Sequence, residues 1–165
     1  MKIAVAGQSD AAEIAALRTA VADDLTVRYG KGHWSFDVTE AGVARGIRTS
    51  RVLVAKARGR IAGTLRLATK KPWAIDPKYF ADVSRPLYLL DMAVDPAQQR
   101  QGIGRTLLQH ASELAREWPA SAIRLDAYDH AAGAGDFYLK CGYREVGRVV
   151  YRGVRLVYFE HLCGA

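Results

Sequence analysis

The residue types best suited to chemistry gather in one run, Gln99-Arg100-Gln101-Gly102-Ile103-Gly104-Arg105-Thr106. Gly102 and Gly104 leave the backbone bare of Cβ atoms, so a bulky ligand can come close to it. From Ile103 an apolar period begins, and Ile103, Leu107, Leu108, Ala111, Leu114, Ala115 and Trp118 share one helical face. The glycines therefore stand at a helix N-terminus. The first amides there lack intrahelical acceptors and the macrodipole is positive. That is a seat for a phosphate or pyrophosphate, with Arg100 and Arg105 adding charge beside it. The run is not a P-loop, which needs Gly-Lys-Ser/Thr. Nor is it the dinucleotide fingerprint, because Leu107 occupies the third glycine position.

Several elements must hold this run in place. The apolar stretch Pro86–Val94 reads as a strand covered on both faces, and Asp95-Pro96 ends it. Trp118-Pro119 ends the following helix, and Ala122–Tyr128 returns as a strand, right-handed and parallel by default. Ahead of this unit, residues 2–7 suggest a first strand. Asp10 and Glu13 suggest a capping box for a helix faced by Ile14, Leu17, Val21 and Leu25. Asp37 with Glu40 suggests the cap of a second helix ending near Ile47. Arg51–Ala57 and residues 60–69 flank Gly59 as an antiparallel hairpin, with Val52, Val54, Ile61, Thr64 and Leu67 as buried positions. Residues 70–85 form one long irregular segment, with prolines around Trp73, Tyr79 and Phe80; loops of this length often cover binding sites. Residues 132–141 suggest a last helix with Gly142 as its C-terminal cap, followed by a hairpin about Arg152-Gly153.

Composition narrows the function classes. A chain of 165 residues, half of them hydrophobic, suits one domain with a full core. No apolar run approaches the roughly 18 residues of a bilayer span, and the first residues are too short for a signal peptide. Cys141 and Cys163 are the two cysteines, without metal-ligand spacing, which suits a reduced cytoplasmic protein. The formal net charge of +7 suits an anionic cofactor or acidic substrate. The basic residues are scattered and not interleaved with aromatics, so neither nucleic acid nor membrane is the expected partner.

Gln99-Arg100-Gln101-Gly102-Ile103-Gly104 resembles the Gln/Arg-x-x-Gly-x-Gly/Ala signature of the GNAT acetyltransferase superfamily. Phe137-Tyr138-Leu139-Lys140-Cys141-Gly142-Tyr143 resembles its Phe-Tyr-x-x-x-Gly-Phe/Tyr ending, and the resemblance runs from about Val52 to Tyr143. It implies a single α/β (α+β) domain over residues 1–165: a twisted, mixed, mostly antiparallel sheet of about six or seven strands with helices on both faces. It implies direct transfer of the acetyl group of acetyl-CoA to a primary amine of a small molecule or peptide, without a metal. A non-catalytic acyl-CoA-binding or regulatory domain is the alternative, and a homodimer is the family's common habit.

The same resemblance distributes roles. The pyrophosphate falls to Gln99, Arg100, Gln101, Gly102, Ile103, Gly104, Arg105 and Thr106. The backbone of Met92, Ala93 and Val94 would pair with the pantetheine arm as an added strand does, and one of its amides would polarise the thioester carbonyl. Tyr138 matches the family's acid for the leaving thiolate; its other reading is a core ring whose hydroxyl caps a backbone group. Asp91 is the visible carboxylate of the central strand, either the base for the amine or a buried structural group. Strict alternation would place it opposite Tyr88, Leu90, Met92 and Val94, and a bulge would reverse that parity. Glu40, Asp129 and His33 are weaker candidates for the base. Trp34, Trp73 and Tyr88 are the expected acceptor contacts, with His33, Asp37 and Glu40 beside them. Ala131 stands where the family pattern has an asparagine, and Asp129 or His130 would have to substitute.

Overall fold

Short apolar runs alternate with two amphipathic helical stretches, and the chain folds as that pattern requires. The computed structural model describes residues 1–164. Among the described residues there are seven strands: β1 Lys2–Val5, β2 Arg51–Ala57, β3 Arg60–Ala68, β4 Pro86–Val94, β5 Ala122–Tyr128, β6 Arg144–Tyr151 and β7 Val154–Leu162. The helices are α1 Ala11–Tyr29, α2 Glu40–Thr49, α3 Ile103–Glu117 and the short α4 Gly135–Lys140. The strands form one mixed sheet in the order β1-β2-β3-β4-β5-β7-β6. β4 and β5 pair in parallel from Pro86 with Ala122 to Tyr88 with Arg124. The pairs β1–β2, β2–β3, β5–β7 and β6–β7 are antiparallel.

The chain divides into two compact units, Met1–Ala68 with Leu90–Ala111, and Thr69–Leu89 with the chain from Ser112 onward. In the first unit, α1 packs on α2 and β3, and α2 packs on β2. Its core holds Ile14, Leu17, Val43, Val52, Val54 and Ile61. The expected buried positions of the hairpin are all buried, Val52, Val54, Ile61, Thr64 and Leu67 at 5 % exposure or less. Arg58 and Gly59, at φ 54° and 76°, make its turn; positive φ at both central residues is the primed turn that suits strand twist. In the second unit α4 packs on β6 and β7. Arg152 and Gly153, at φ 49° and 80°, close that hairpin with a turn of the same kind.

Three details depart from expectation. Thr39, not Asp37, caps α2, its hydroxyl accepting the amide of Gly42 at 3.1 Å. Asp10 and Glu13 do not cap α1 as a box. Asp10 accepts the amide of Gly7 and pairs with Lys56, and Glu13 accepts the amide of Ile61 from β3 at 2.8 Å. Both carboxylates tie α1 to its neighbours instead of to its own first turn. The last helix begins at Gly135, three residues late. The preceding chain is folded tightly against the end of β5, where a Cβ on Gly133 would stand 1.9 Å from the carbonyl oxygen of Tyr128.

Candidate active site

The glycine run is set by β3. The pairing of β2 with β3 shifts between Ala55 and Lys56, which leaves Ala62 as an extra, bulged residue. The carbonyl of Ala62 accepts the amide of Asp95 at 2.8 Å, just where β4 ends. One residue on, Gly63 has no side chain, and a Cβ there would lie 2.9 Å from Ile103 and 3.0 Å from Leu107. Both ends of the run, Asp95 and the first turn of α3, are thus seated on neighbouring residues of one strand. Between them Asp95 accepts the amide of Ala97 and the side-chain amide of Gln98. Arg100 and Gly102 stand at φ 64° and 84°. Positive φ at two positions with one residue between them bends the run sharply, the kind of bend in which backbone amides can be gathered for an anion. Thr106 closes the turn, its amide and hydroxyl both donating to the carbonyl of Gly102. The amides from Gln101 onward lie at the start of α3, where the first amides of a helix lack intrahelical acceptors and can meet an anion.

Asp91 sits at φ 57° within β4, so the alternation of the strand breaks there. An aspartate tolerates this region better than a β-branched residue would. The break turns the carboxylate toward α1 and β3. Arg18 Nη2 donates to its Oδ1 at 3.0 Å, and Arg66 Nε donates to its Oδ2 at 2.8 Å. Arg66 reaches it by lying along α2, where a Cβ on Gly46 would meet its Cδ at 3.1 Å. These residues line a cleft of about 140 Å³ closed by Ile14, Val43, Val52 and Leu65.

Tyr138, in the second unit, is 6 % exposed. Its ring packs against Phe137, Tyr143 and Phe159 at centroid separations of 5.3, 5.8 and 5.8 Å. Burial pushes its phenol well above the ordinary tyrosine range, and the charges of Asp126 and Cys141 push the same way. It therefore keeps its proton at neutral pH. Asp126 itself, on β5 opposite Tyr158, is raised above the usual carboxylate range by burial. Sequence reading passed over it. Its one signal was a carboxylate inside the apolar strand Ile123-Arg124-Leu125-Asp126-Ala127. Tyr143 stacks on His161 at 5.1 Å, and its hydroxyl is the one buried side-chain polar atom without a hydrogen-bond partner among the described residues.

The expected acceptor contacts fall in both units. Trp34, in the first, is buried under Gly32 and donates its indole N–H to the carbonyl of Gly30. Tyr88, in the second, is buried in the β4–β5 ladder. Trp73 is 82 % exposed at the start of the long segment. Glu40 and His33 are exposed, and Asp129 pairs with Arg148 at 3.1 Å. Near Ala131, His130 Nδ1 accepts the amide of Ala132. The long segment itself is pinned rather than loose. The Tyr158 hydroxyl donates to the carbonyl of Ala74 and accepts the amide of Asp76, while Ala81 is held by Glu160 and Arg124. Among the described residues no group of three or more His, Cys, Asp or Glu is placed to hold a metal ion, and no helix is long and apolar enough to cross a membrane.

The chain thus pairs a mixed seven-stranded sheet with a glycine-rich run at the start of α3. Residues 18–143 match the family model of the acetyltransferase (GNAT) family, and the chain belongs to that family. It is an acyltransferase by that membership, which speaks against the non-catalytic alternative. Solved structures share the fold over nearly the whole chain. A ribosomal-protein-alanine N-acetyltransferase from Brucella melitensis is 19 % identical, with TM-score 0.74 and 98 % of this chain and 99 % of that one covered. The structure of yncA from Salmonella typhimurium with its cofactor acetyl-CoA is 17 % identical, with TM-score 0.73 and coverage of 100 % and 95 %. An aminoglycoside 6′-N-acetyltransferase complexed with coenzyme A is 14 % identical, with TM-score 0.69 and coverage of 100 % and 98 %.

Proposed function

We propose that the chain is one catalytic domain that transfers the acetyl group of acetyl-CoA to a primary amine of a small molecule or peptide. The observation that carries this is the anion seat between Asp95 and Thr106, built by Ala62 and Gly63 beneath it and by Arg100 and Gly102 at positive φ. Acetyl-CoA supplies an activated thioester. The amides from Gln101 to Arg105 would hold its pyrophosphate, with Arg100 and Arg105 as accessory charges, and Gln99 would brace the loop through the carbonyl of Val94. The backbone of Met92 to Val94, just past the break at Asp91, would hold the pantetheine arm. Fixing both substrates in line supplies the largest share of the rate, roughly 7–11 kcal/mol for well-oriented partners.

Two proton transfers remain. Tyr138, protonated at neutral pH, is assigned to the leaving sulfur. For the amine, a carboxylate with a raised pKa is a better base than an ordinary one. We propose for the role Asp126, which has that property, pairs opposite Tyr158 on β7 and lies near enough to Tyr138 for its charge to raise that phenol. Asp91, with both oxygens engaged by guanidiniums, is read as the group that positions Arg18 and Arg66. Trp73, exposed in the pinned segment 70–85, remains an acceptor contact in this reading, with that segment a fixed wall, while Trp34 and Tyr88 are buried within their own units. Two cysteines without a disulfide between them suit a reducing, cytoplasmic setting. Thiol release from acetyl-CoA across a panel of amines, amino acids, aminoglycosides and N-terminal peptides tests the proposal. Turnover with one acceptor class supports it; tight acetyl-CoA binding without turnover on any acceptor overturns it.

A further inference from the structure

The cleft between α1, α2 and β3 carries an imbalance of charge. Arg18, Arg45 and Arg66 line it, and Asp91 is the one carboxylate among its lining residues. Arg18 is 19 % exposed at its side chain and Arg66 25 %. Arg18 gives a single nitrogen to Asp91. Arg66 gives Nε to Asp91 and Nη1 to Ser50 at 3.5 Å. Most of the guanidinium N–H donors in this half-closed space are thus still able to donate to a ligand that enters it. The cleft's hydroxyls do not provide them. Thr64 donates to the carbonyl of Leu53, and Thr49 donates to that of Arg45. Burial weakens the charged form of Arg18, Asp91 restores part of it, and Arg66 opposes it again. A second anion would relieve that strain. The remaining wall, Ile14 and Val43 among it, is aliphatic, and about 140 Å³ suits a group of amino-acid size.

We infer that this cleft binds a carboxylate on a short aliphatic frame, and that the acetyl acceptor is an amine carrying such a carboxylate. A carboxylate matches the fork of a guanidinium with two parallel hydrogen bonds. Asp91 holds Arg18 and Arg66 in place, and the exposed Arg45 closes the cleft from α2. The second half of the inference rests on the acetyltransferase reading; the first does not.

The experiment has two arms. In the first, wild type and Arg45→Gln acetylate matched amines, each as a free acid and as its carboxamide. The expected result is a preference for the acid of roughly 10- to 100-fold in kcat/KM, the range for hydrogen bonds to charged groups, largely lost in Arg45→Gln. Equal rates for acid and carboxamide would overturn the inference while leaving the acetyltransferase reading intact. In the second arm, N-acetylglycine and N-acetylglycinamide, which offer no amine, are titrated into the coenzyme A complex while the Arg side-chain Nε–H resonances are followed. Shifts at Arg18 and Arg66 with the acid alone, weakened at least tenfold by Arg45→Gln, support the cleft even if no amine is acetylated. Identical responses to acid and amide, or none, overturn it.

Discussion

Arg124 and Glu160 face each other across β5 and β7 as a buried pair, Nε to Oε2 at 3.1 Å, with side chains 5 % and 0 % exposed. The pair does more than neutralise itself. Arg124 Nη2 donates to the carbonyl of Ala81, Glu160 Oε1 accepts the amide of Ala81, and the guanidinium lies 4.9 Å over the ring of Phe80. Two charges that would be costly alone are the anchor of the long irregular segment.

Removing one partner leaves the other charged and buried, which typically costs about 3–5 kcal/mol. Glu160→Ala should destabilise the second unit by that order in a denaturant melt, and Glu160→Gln by less. Tyr158→Phe should cost about 1–2 kcal/mol and raise hydrogen exchange at the Asp76 amide, because the segment loses its second anchor. A segment that acts as a fixed wall will show a raised acceptor KM in Tyr158→Phe with acetyl-CoA KM unchanged.

Tyr138→Phe keeps the ring packed against Phe159 and removes only the hydroxyl. As the acid, its loss should lower kcat by about 100-fold or more, with the acetyl-CoA Kd held within about twofold. A rate close to wild type would return Tyr138 to the core. The wild type should show no alkaline limb from this group below the ordinary tyrosine range, because burial raises its pKa.

Asp126 couples pH to both activity and stability. As the base it must be ionised, so kcat/KM should rise with pH through an acidic limb placed above the ordinary carboxylate value of about 4. Asp126→Asn should remove that limb and lower kcat/KM about 100-fold. The stability effect has the opposite sign. A carboxyl raised in the native state binds its proton more tightly there than in the unfolded chain, so stability falls as pH rises between the two pKa values. Asp126→Asn should therefore be the more stable protein at pH 7, measured by thermal unfolding across pH.

Gly102 stands at φ 84° with open space around its missing Cβ, so a substitution there is limited by backbone strain and not by collision. Gly102→Val should cost of order 1–3 kcal/mol and weaken acetyl-CoA by about tenfold or more in a calorimetric titration. Arg100→Gly relaxes the backbone at φ 64° and removes a charge, so its acetyl-CoA affinity should become less sensitive to salt.

Much of this architecture is legible in the sequence because it rests on local signals. The stop at Asp95-Pro96, the period from Ile103 and the turns at Gly59 and Gly153 each set a boundary close to where it falls. What is not legible is non-local. Asp10 and Glu13 have the spacing of a cap, but partners more than 40 residues away claim both carboxylates. Asp91 reads as a base because a lone carboxylate in an apolar strand looks uncommitted; its two arginines come from α1 and β3, far off in the chain. Asp126 stayed hidden for the converse reason: its neighbours Arg124 and Tyr128 make the strand look half polar, and only the fold shows the carboxylate desolvated.

The seat on β3 has a consequence for how such a chain can diverge. Ala62 and Gly63 fix the glycine run through a carbonyl and an absent side chain, and neither depends on what α1 and α2 present to the arginine cleft. Arg18 or Arg45, which line the cleft from those helices, can change without removing either hold on the glycine run. On the proposed reading, selection for a new acceptor and retention of the old donor would then act on separate parts of one small unit, so specificity could drift at little cost to the chemistry it serves.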